Sequence, residues 1–433
     1  MGFEKEASSS SYGLPSLPAD EPSTGPLLAP HPSSLPPLSS QPKTFANVFI
    51  AIVGAGVLGL PYTFMRTGYL AGALMLIVIG ALTYHCMMLI VDTRRRLDLD
   101  RGFSKIASFG DLGLAVAGPA GRLAVDSMIV LSQAGFCVGY LIFIANTLAH
   151  LYPFSPILGV LKPKVVSILS MLPFQLGLNS IKTLTLLAPL SIFADVVDIG
   201  AMGVVIVEDL LTYFHDRPDL VALNGGISVV LYGLGVAVYA FEGIGMVLPL
   251  ESEAADKPKF GRTLGLSMGF ISIMYALFGA FGYFAFGDQT RDIITTNLGG
   301  GLISEIVQLG LCINLFFTFP IMMNPVFEVV ERRAFGKNYC LWARWALVLV
   351  VCLVALFVPN FADFLSLVGS SVCCVLGFVL PAAFHLKVFG EQMGWIGITS
   401  DIAIVVIGIV FAVSGTWSAL LEIFFSKEQI GRL

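Results

Sequence analysis

Gly54-Ala-Gly-Val-Leu-Gly-Leu-Pro61 is the stretch on which the reading of this chain turns. It lies inside an apolar run, Phe45 to Phe64, that reaches the roughly 20 residues needed to cross a bilayer. Three glycines and a proline weaken a helix where an unsatisfied backbone group is most costly. Such a break is tolerated where it faces protein or a polar cavity, so it marks a ligand site rather than a plain anchor. Gly54, Gly56 and Gly59 also spell G-x-G-x-x-G. That fingerprint belongs between a strand and a helix, with an acidic residue about 20 positions on. Here an apolar span surrounds it and no acidic residue stands at that offset, which argues against a dinucleotide site.

Working outward, the whole chain has the same character. Of 433 residues, 56% are hydrophobic and 12% charged, with a mean hydropathy of +0.86. A soluble domain carries about 25% charged residues. The charges gather in short stretches between apolar runs of membrane-spanning length, so the expected fold class is an all-α polytopic membrane protein. Eleven spans are expected. The first six are Thr44–Phe64, Tyr69–Val91, Arg122–Leu151, Lys164–Leu178, Thr183–Val207 and Ile227–Leu250. The rest are Gly261–Phe286, Leu302–Val330, Trp342–Val358, Phe361–Leu386 and Ile396–Phe425. With the N-terminus in the cytosol, 17 of the 24 Lys and Arg fall on the cytosolic side and 7 on the other. That bias is what the positive-inside rule asks for. Residues 1–43, rich in Ser and Pro, read as a disordered cytosolic tail ahead of a transmembrane domain over 44–433.

The composition also removes several function classes. The seven cysteines lie mostly in apolar runs and form no C-x-x-C, so buried structural thiols are expected, with no metal site and no cofactor. No nucleophile–base or metal-ligand cluster stands out, so the chain does not read as an enzyme. Its partners are the lipid bilayer and small solutes, with no nucleic acid.

An internal echo follows five spans later. Tyr239-Ala-Phe-Glu-Gly-Ile-Gly-Met-Val-Leu-Pro249 repeats the pattern Gly-x-Gly followed by Leu-Pro. Five is odd, so the two halves have opposite membrane orientation. They run from about 44 to 213 and about 226 to 387, with an extra helix at about 396–425. Broken helices at matching positions of inverted repeats point to a transporter's binding site. The alternative is that each Gly-x-Gly only lets helices pack closely.

Each break frees N–H groups at one helix end and C=O groups at the other, and the two ends favour opposite charges. A free amino acid carries both charges on one carbon. Gly54, Gly56 and Gly59 let a carboxylate reach the backbone, with Gly243 at the second break. The carbonyls of Ile52, Val53, Tyr239 and Phe241 face the ammonium. Ala55, Val57, Tyr140 and Phe241 are candidates for the side-chain pocket, although aromatic residues in apolar helices are usually core. Ionisable residues deep in spans are costly and point to function. Glu242, inside the second break, and Asp195 and Asp198, one turn apart in the fifth span, are candidate proton carriers. Asp92, Asp126, Glu208, Asp209, Glu251 and Glu328 fall at span ends and call for no special reading. Thr318 in the eighth span is an oxygen ligand available to sodium, so the residues leave proton and sodium coupling both open.

Val53-Gly-Ala-Gly-Val-Leu-Gly-Leu-Pro61, Tyr84-His-Cys-Met-Met88, Ser132-Gln-Ala-Gly-Phe-Cys137 and Phe241-Glu-Gly-Ile-Gly245 together resemble the amino acid/auxin permease family. Phe286-Gly-Asp288 and Ile293-Ile-Thr-Thr-Asn-Leu298 fit the same resemblance, which spans Thr44 to the C-terminus. Within the family, the chain is most similar to proton-coupled amino acid transporters and to plant vacuolar transporters of neutral amino acids. The resemblance implies a leucine-transporter-like fold of two inverted five-helix repeats plus one helix. It further implies proton symport of small neutral amino acids such as alanine and proline, from the vacuole lumen to the cytosol. Asp195 departs from the pattern, standing where many relatives carry an uncharged residue. A membrane amino-acid sensor with little flux and a plasma-membrane importer are the rival readings.

Overall fold

The computed structural model describes residues 38–99, 106–152, 162–182, 188–336 and 338–430, and within them every side chain except those of 188–195, 216 and 425–430. Residues 1–37 of the expected tail lie outside the described residues, as do the first five of the span expected from Thr183. The described residues from Ser39 onward form one compact unit.

In chain order the helices are α1 (Gln41–Ile52), α2 (Leu60–Thr67), α3 (Tyr69–Leu99), α4 (Phe109–Leu151) and α5 (Pro163–Asn179). There follow α6 (Ala188–Asp216), α7 (Ile227–Ala240), α8 (Val247–Glu253), α9 (Lys257–Phe286) and α10 (Leu302–Ala334). The last are α11 (Leu341–Phe357), α12 (Phe361–Val368), α13 (Leu380–Phe389) and α14 (Trp395–Ile430), with π-helical turns joining α12 to α13. Beyond helices, the described residues contain one isolated β-bridge, Ser39 to Ala254. Among the described residues, seven helical runs are long and apolar enough to cross a membrane, or eight if the bent pair Gln41–Ile52 and Ala55–Thr67 is one span. Leu341–Phe357 is apolar but shorter. The protein is a polytopic, all-helical membrane protein.

The first break falls where the glycines sit. α1 stops at Ile52, Val53 and Gly54 are extended, and a 3-10 turn over Ala55–Gly59 leads into α2. Pro61 lies in the first turn of α2, where a missing N–H removes no intrahelical bond. The two halves are bent by 53°. The second break has the same construction. α7 stops at Ala240, a 3-10 turn covers Ile244–Met246, and α8 restarts just before Pro249.

Ion pairs tie the helix ends at both faces of the bundle. Glu251, 1% exposed at the end of α8, pairs with Arg94 at 3.1 Å and Arg95 at 2.8 Å. Asp126 of α4 takes Arg332 at 2.8 Å and Arg333 at 3.0 Å, and Glu331 takes Arg344 at 2.7 Å. These arginines all belong to the basic side expected from the charge count. On the opposite face, Arg66 of α2 meets Glu422 of α14 at 2.6 Å and lies 4.3 Å over the Tyr232 ring of α7. The Tyr232 hydroxyl donates to Asp363 of α12 at 3.1 Å. α4 begins earlier than the expected span at Arg122, and non-helical Ala117 and Gly118 set Phe109–Val116 off from the rest before Pro119.

Candidate functional site

The two breaks lie against each other at the centre of the bundle. A Cβ on Gly56 would sit 3.0 Å from the Ala240 Cα and 3.0 Å from the Tyr239 ring, so only glycine admits this approach without a shift. Gly243 faces Ile52 in the same way from the other break. The contact exposes helix-end carbonyls, and Tyr275 of α9 answers two of them. Its hydroxyl lies 3.3 Å from the Ile52 carbonyl oxygen and 3.1 Å from that of Ala240. One buried tyrosine thereby clasps the last turn of α1 to the last turn of α7.

Beside this junction is a cavity of about 130 Å³. That is roughly ten times the ~10–15 Å³ that admits one water, room for a ligand of a few heavy atoms. Its wall comprises Ile50 to Gly56, then Phe136 and Tyr140 of α4, Asp198 of α6, Tyr239, Ala240 and Glu242 at the second break, and Asn314, Leu315, Thr318 and Met322 of α10. No basic side chain lines it among the described residues.

The expected binding residues divide into three groups. Ile52, Val53, Gly54, Ala55, Gly56, Tyr140 and Tyr239 line the cavity. Val57 lines a small void behind Gly54 that it shares with Asp198. Gly59, Phe241 and Gly243 are outside both linings. Gly59 packs on Leu365, and Phe241, 1% exposed, places its ring 5.1 Å from that of Tyr275. These three shape the breaks without facing the cavity.

The acidic candidates also separate. Glu242 is half-buried in the cavity wall, near the Ile244 backbone N–H and directed toward Gly377 in the π-helical stretch. Asp198 reaches the cavity beside Gly54. The Asp195 side chain lies outside the described residues. Of the residues expected at span ends, Asp209 is a correction. It is 1% exposed, and among the described residues neither carboxyl oxygen has a hydrogen-bond partner.

Thr318, named above as an oxygen ligand available to sodium, lines the cavity, with its hydroxyl 2.9 Å from the Asn314 carbonyl oxygen and 3.0 Å from the Asn314 side-chain oxygen. Other contributors went unforeseen. The Tyr239 hydroxyl is buried beside Gly139 and has no hydrogen-bond partner among the described residues. Its ring lies edge-on to Phe136 at 4.9 Å. Asn314, Phe136 and Tyr275 belong to ordinary apolar helices, and no local pattern distinguishes them from packing residues.

The arrangement suits one chemistry. Helix-end N–H groups follow each break, carbonyls precede it, and the carboxyl groups of Asp198 and Glu242 stand in the cavity wall. A zwitterion with a short side chain meets both kinds of partner there. An anionic side chain meets like charge.

Over residues 38–421 the sequence matches the profile of the transmembrane amino acid transporter proteins. It is 65% identical to Amino acid transporter AVT3C of Arabidopsis thaliana, across 99% of this chain and 100% of that one. Amino acid transporter AVT3A of the same plant is 60% identical over the same shares, and AVT3B is 65% identical over 90% and 95%. The chain belongs to the transmembrane amino acid transporter family, and is a multi-pass transport protein rather than an enzyme.

Proposed function

We propose that this member of the amino acid transporter family is a proton symporter of small neutral amino acids, moving them from the vacuole lumen to the cytosol by alternating access. One observation carries the reading: a small cavity at two apposed helix breaks, lined among the described residues by two carboxyl groups and no basic side chain. The small volume favours substrates such as alanine and proline, and the acidic wall disfavours acidic ones. The N–H groups of the 3-10 turn after Gly54 receive the substrate carboxylate. The carbonyls of Ile52, Val53 and Tyr239, with Asp198, face its ammonium. Phe136, Tyr140 and Tyr239 receive its side chain, and Glu242 carries the proton, with Asp198 and Asp195 as the alternatives.

The proposed architecture is eleven spans, the N-terminus in the cytosol, and two inverted five-helix repeats with one further helix. In that frame the α2 side is luminal. Val57, Leu58 and Leu60 are buried there beneath the Arg66–Glu422 pair, so that side is closed. On the other side, Ser39 hydrogen-bonds to Glu253 at 2.8 Å and Ala255 to Ser39 at 3.0 Å, so α1 and α8 are strapped to move together.

Flux tests the proposal. Proteoliposomes loaded with labelled alanine or proline at acid pH release it faster into a neutral medium than into an acid one. Binding without flux refutes transport in favour of a sensor. Fractionation of plant membranes separates a vacuolar protein from a plasma-membrane importer.

A further inference from the structure

Asp209 is a carboxyl group that the cavity does not use. It is 1% exposed in α6, and neither oxygen has a hydrogen-bond partner among the described residues. A buried carboxylate in this condition is strongly disfavoured, and the neutral acid is the form the surroundings accept. Packing explains the isolation. One turn further on, the Tyr213 ring lies 6.0 Å from Phe284 of α9, which lies 5.6 Å from Tyr69 at the start of α3. Asp209 is therefore one helical turn inside an aromatic lid on the α2 side.

The route toward the cavity is filled. Eleven residues separate Asp209 from Asp198, about three turns and ~16 Å along nearly the same helix face. Ala201, Met202 and Val205 occupy that face and are all buried. α6 packs against α9 and α10. At the corresponding ends, α9 offers Tyr283, whose hydroxyl accepts the Val221 N–H at 3.0 Å, and α10 offers exposed Glu305 and buried Cys312. The charge acting on Asp209 is that of its chain neighbour Glu208.

We propose that Asp209 is a proton-binding site that makes closure of the α2 side conditional on its protonation. When that side opens, water reaches the carboxyl and it ionises. Closing buries it without a partner, so the proton must first return from the α2-side solution to a carboxylate oxygen. The proton is taken from and released to the same side and is not carried across. Acid on the α2 side thus drives the transporter into its closed, cavity-loaded form. The inference rests on the alternating-access reading above, but not on Glu242 as the coupling residue.

Substrate exchange in proteoliposomes tests it, with the α1-side pH fixed and the α2-side pH varied. Wild-type exchange slows as the α2 side turns alkaline, by up to about tenfold per pH unit for a single proton. Asp209→Asn, neutral at every pH, keeps the acid-side rate throughout, and its accumulation in a fixed pH gradient equals that of the wild type. An undiminished alkaline loss in Asp209→Asn overturns the proposal. So does lost accumulation with retained exchange, which would make Asp209 the coupling site instead. Wild type that fails to accumulate in the gradient refutes symport while leaving the exchange profile decisive. Should Asp209→Asn not be recovered folded, Asp209→Glu must retain the alkaline loss, and a flat profile there overturns the proposal.

Discussion

Removing the Tyr275 hydroxyl separates the clasp between the two breaks from everything else that side chain does. In Tyr275→Phe the ring keeps its place 5.1 Å from Phe241, and only the oxygen shared by the Ile52 and Ala240 carbonyls is lost. Tyr275 is fully buried, so no bulk water replaces it. Leaving a buried acceptor unsatisfied costs about 1–3 kcal/mol. Because the bond holds α1 against α7 at the cavity, the cost falls on the arrangement that binds substrate. A bias of that size corresponds to roughly 5–150-fold in an equilibrium between two arrangements. The expected result is a rise of at least fivefold in KM for alanine in proteoliposomes, with a lower melting temperature in detergent. Tyr84→Phe is the control, since its hydroxyl also donates to a backbone carbonyl, that of Gly261 at 3.3 Å, away from the cavity. It should lower the melting temperature alone. An unchanged KM in Tyr275→Phe, or equal KM shifts in the two variants, would refute the clasp.

The other expectations are shorter. Gly56→Ala places a methyl 3.0 Å from the Ala240 backbone, an overpacking cost of about 1–3 kcal/mol, and uptake should fall tenfold or more while Gly54→Ala, with open space around it, remains active with a higher KM for proline than for alanine. Glu242→Gln should retain substrate exchange but lose accumulation in a pH gradient, and full pH-driven uptake would clear Glu242 of the coupling role. Asp292, in the turn between α9 and α10, accepts the Phe361 N–H at 2.9 Å, and burial pushes its carboxyl above the usual range. Its contribution to stability is therefore present at acid pH and is lost as pH rises through the raised value. Asp292→Asn should flatten that part of the stability profile, measured by thermal unfolding across pH, and an unchanged profile would count against it.

Much of the fold was legible because membrane helices are written locally. Apolar length gives the span, glycines end it, and a proline in the next first turn restarts it, as at Gly54–Pro61 and again at Gly243–Pro249. Backbone features of the site could be read at the same level, and Ile52 to Gly56 do line the cavity. Side chains could not be assigned in that way. Helical periodicity places Asp195 and Asp198 on one face but does not say what that face meets, and it is the packing of α6 that brings Asp198 to the cavity. Phe241 belongs to the motif yet packs its ring against Tyr275, outside the cavity wall.

By itself the sequence determined the class of protein, the two breaks and their matching construction, since these depend on backbone groups and on residues adjacent in the chain. The tertiary structure alone decided which polar groups meet there. Tyr275 reaches two carbonyls from 223 and 35 residues away, and Asp209, in a helix packed against α9 and α10, has no hydrogen-bond partner among the described residues. Such contacts depend on how helices cross, and no local spacing encodes a crossing.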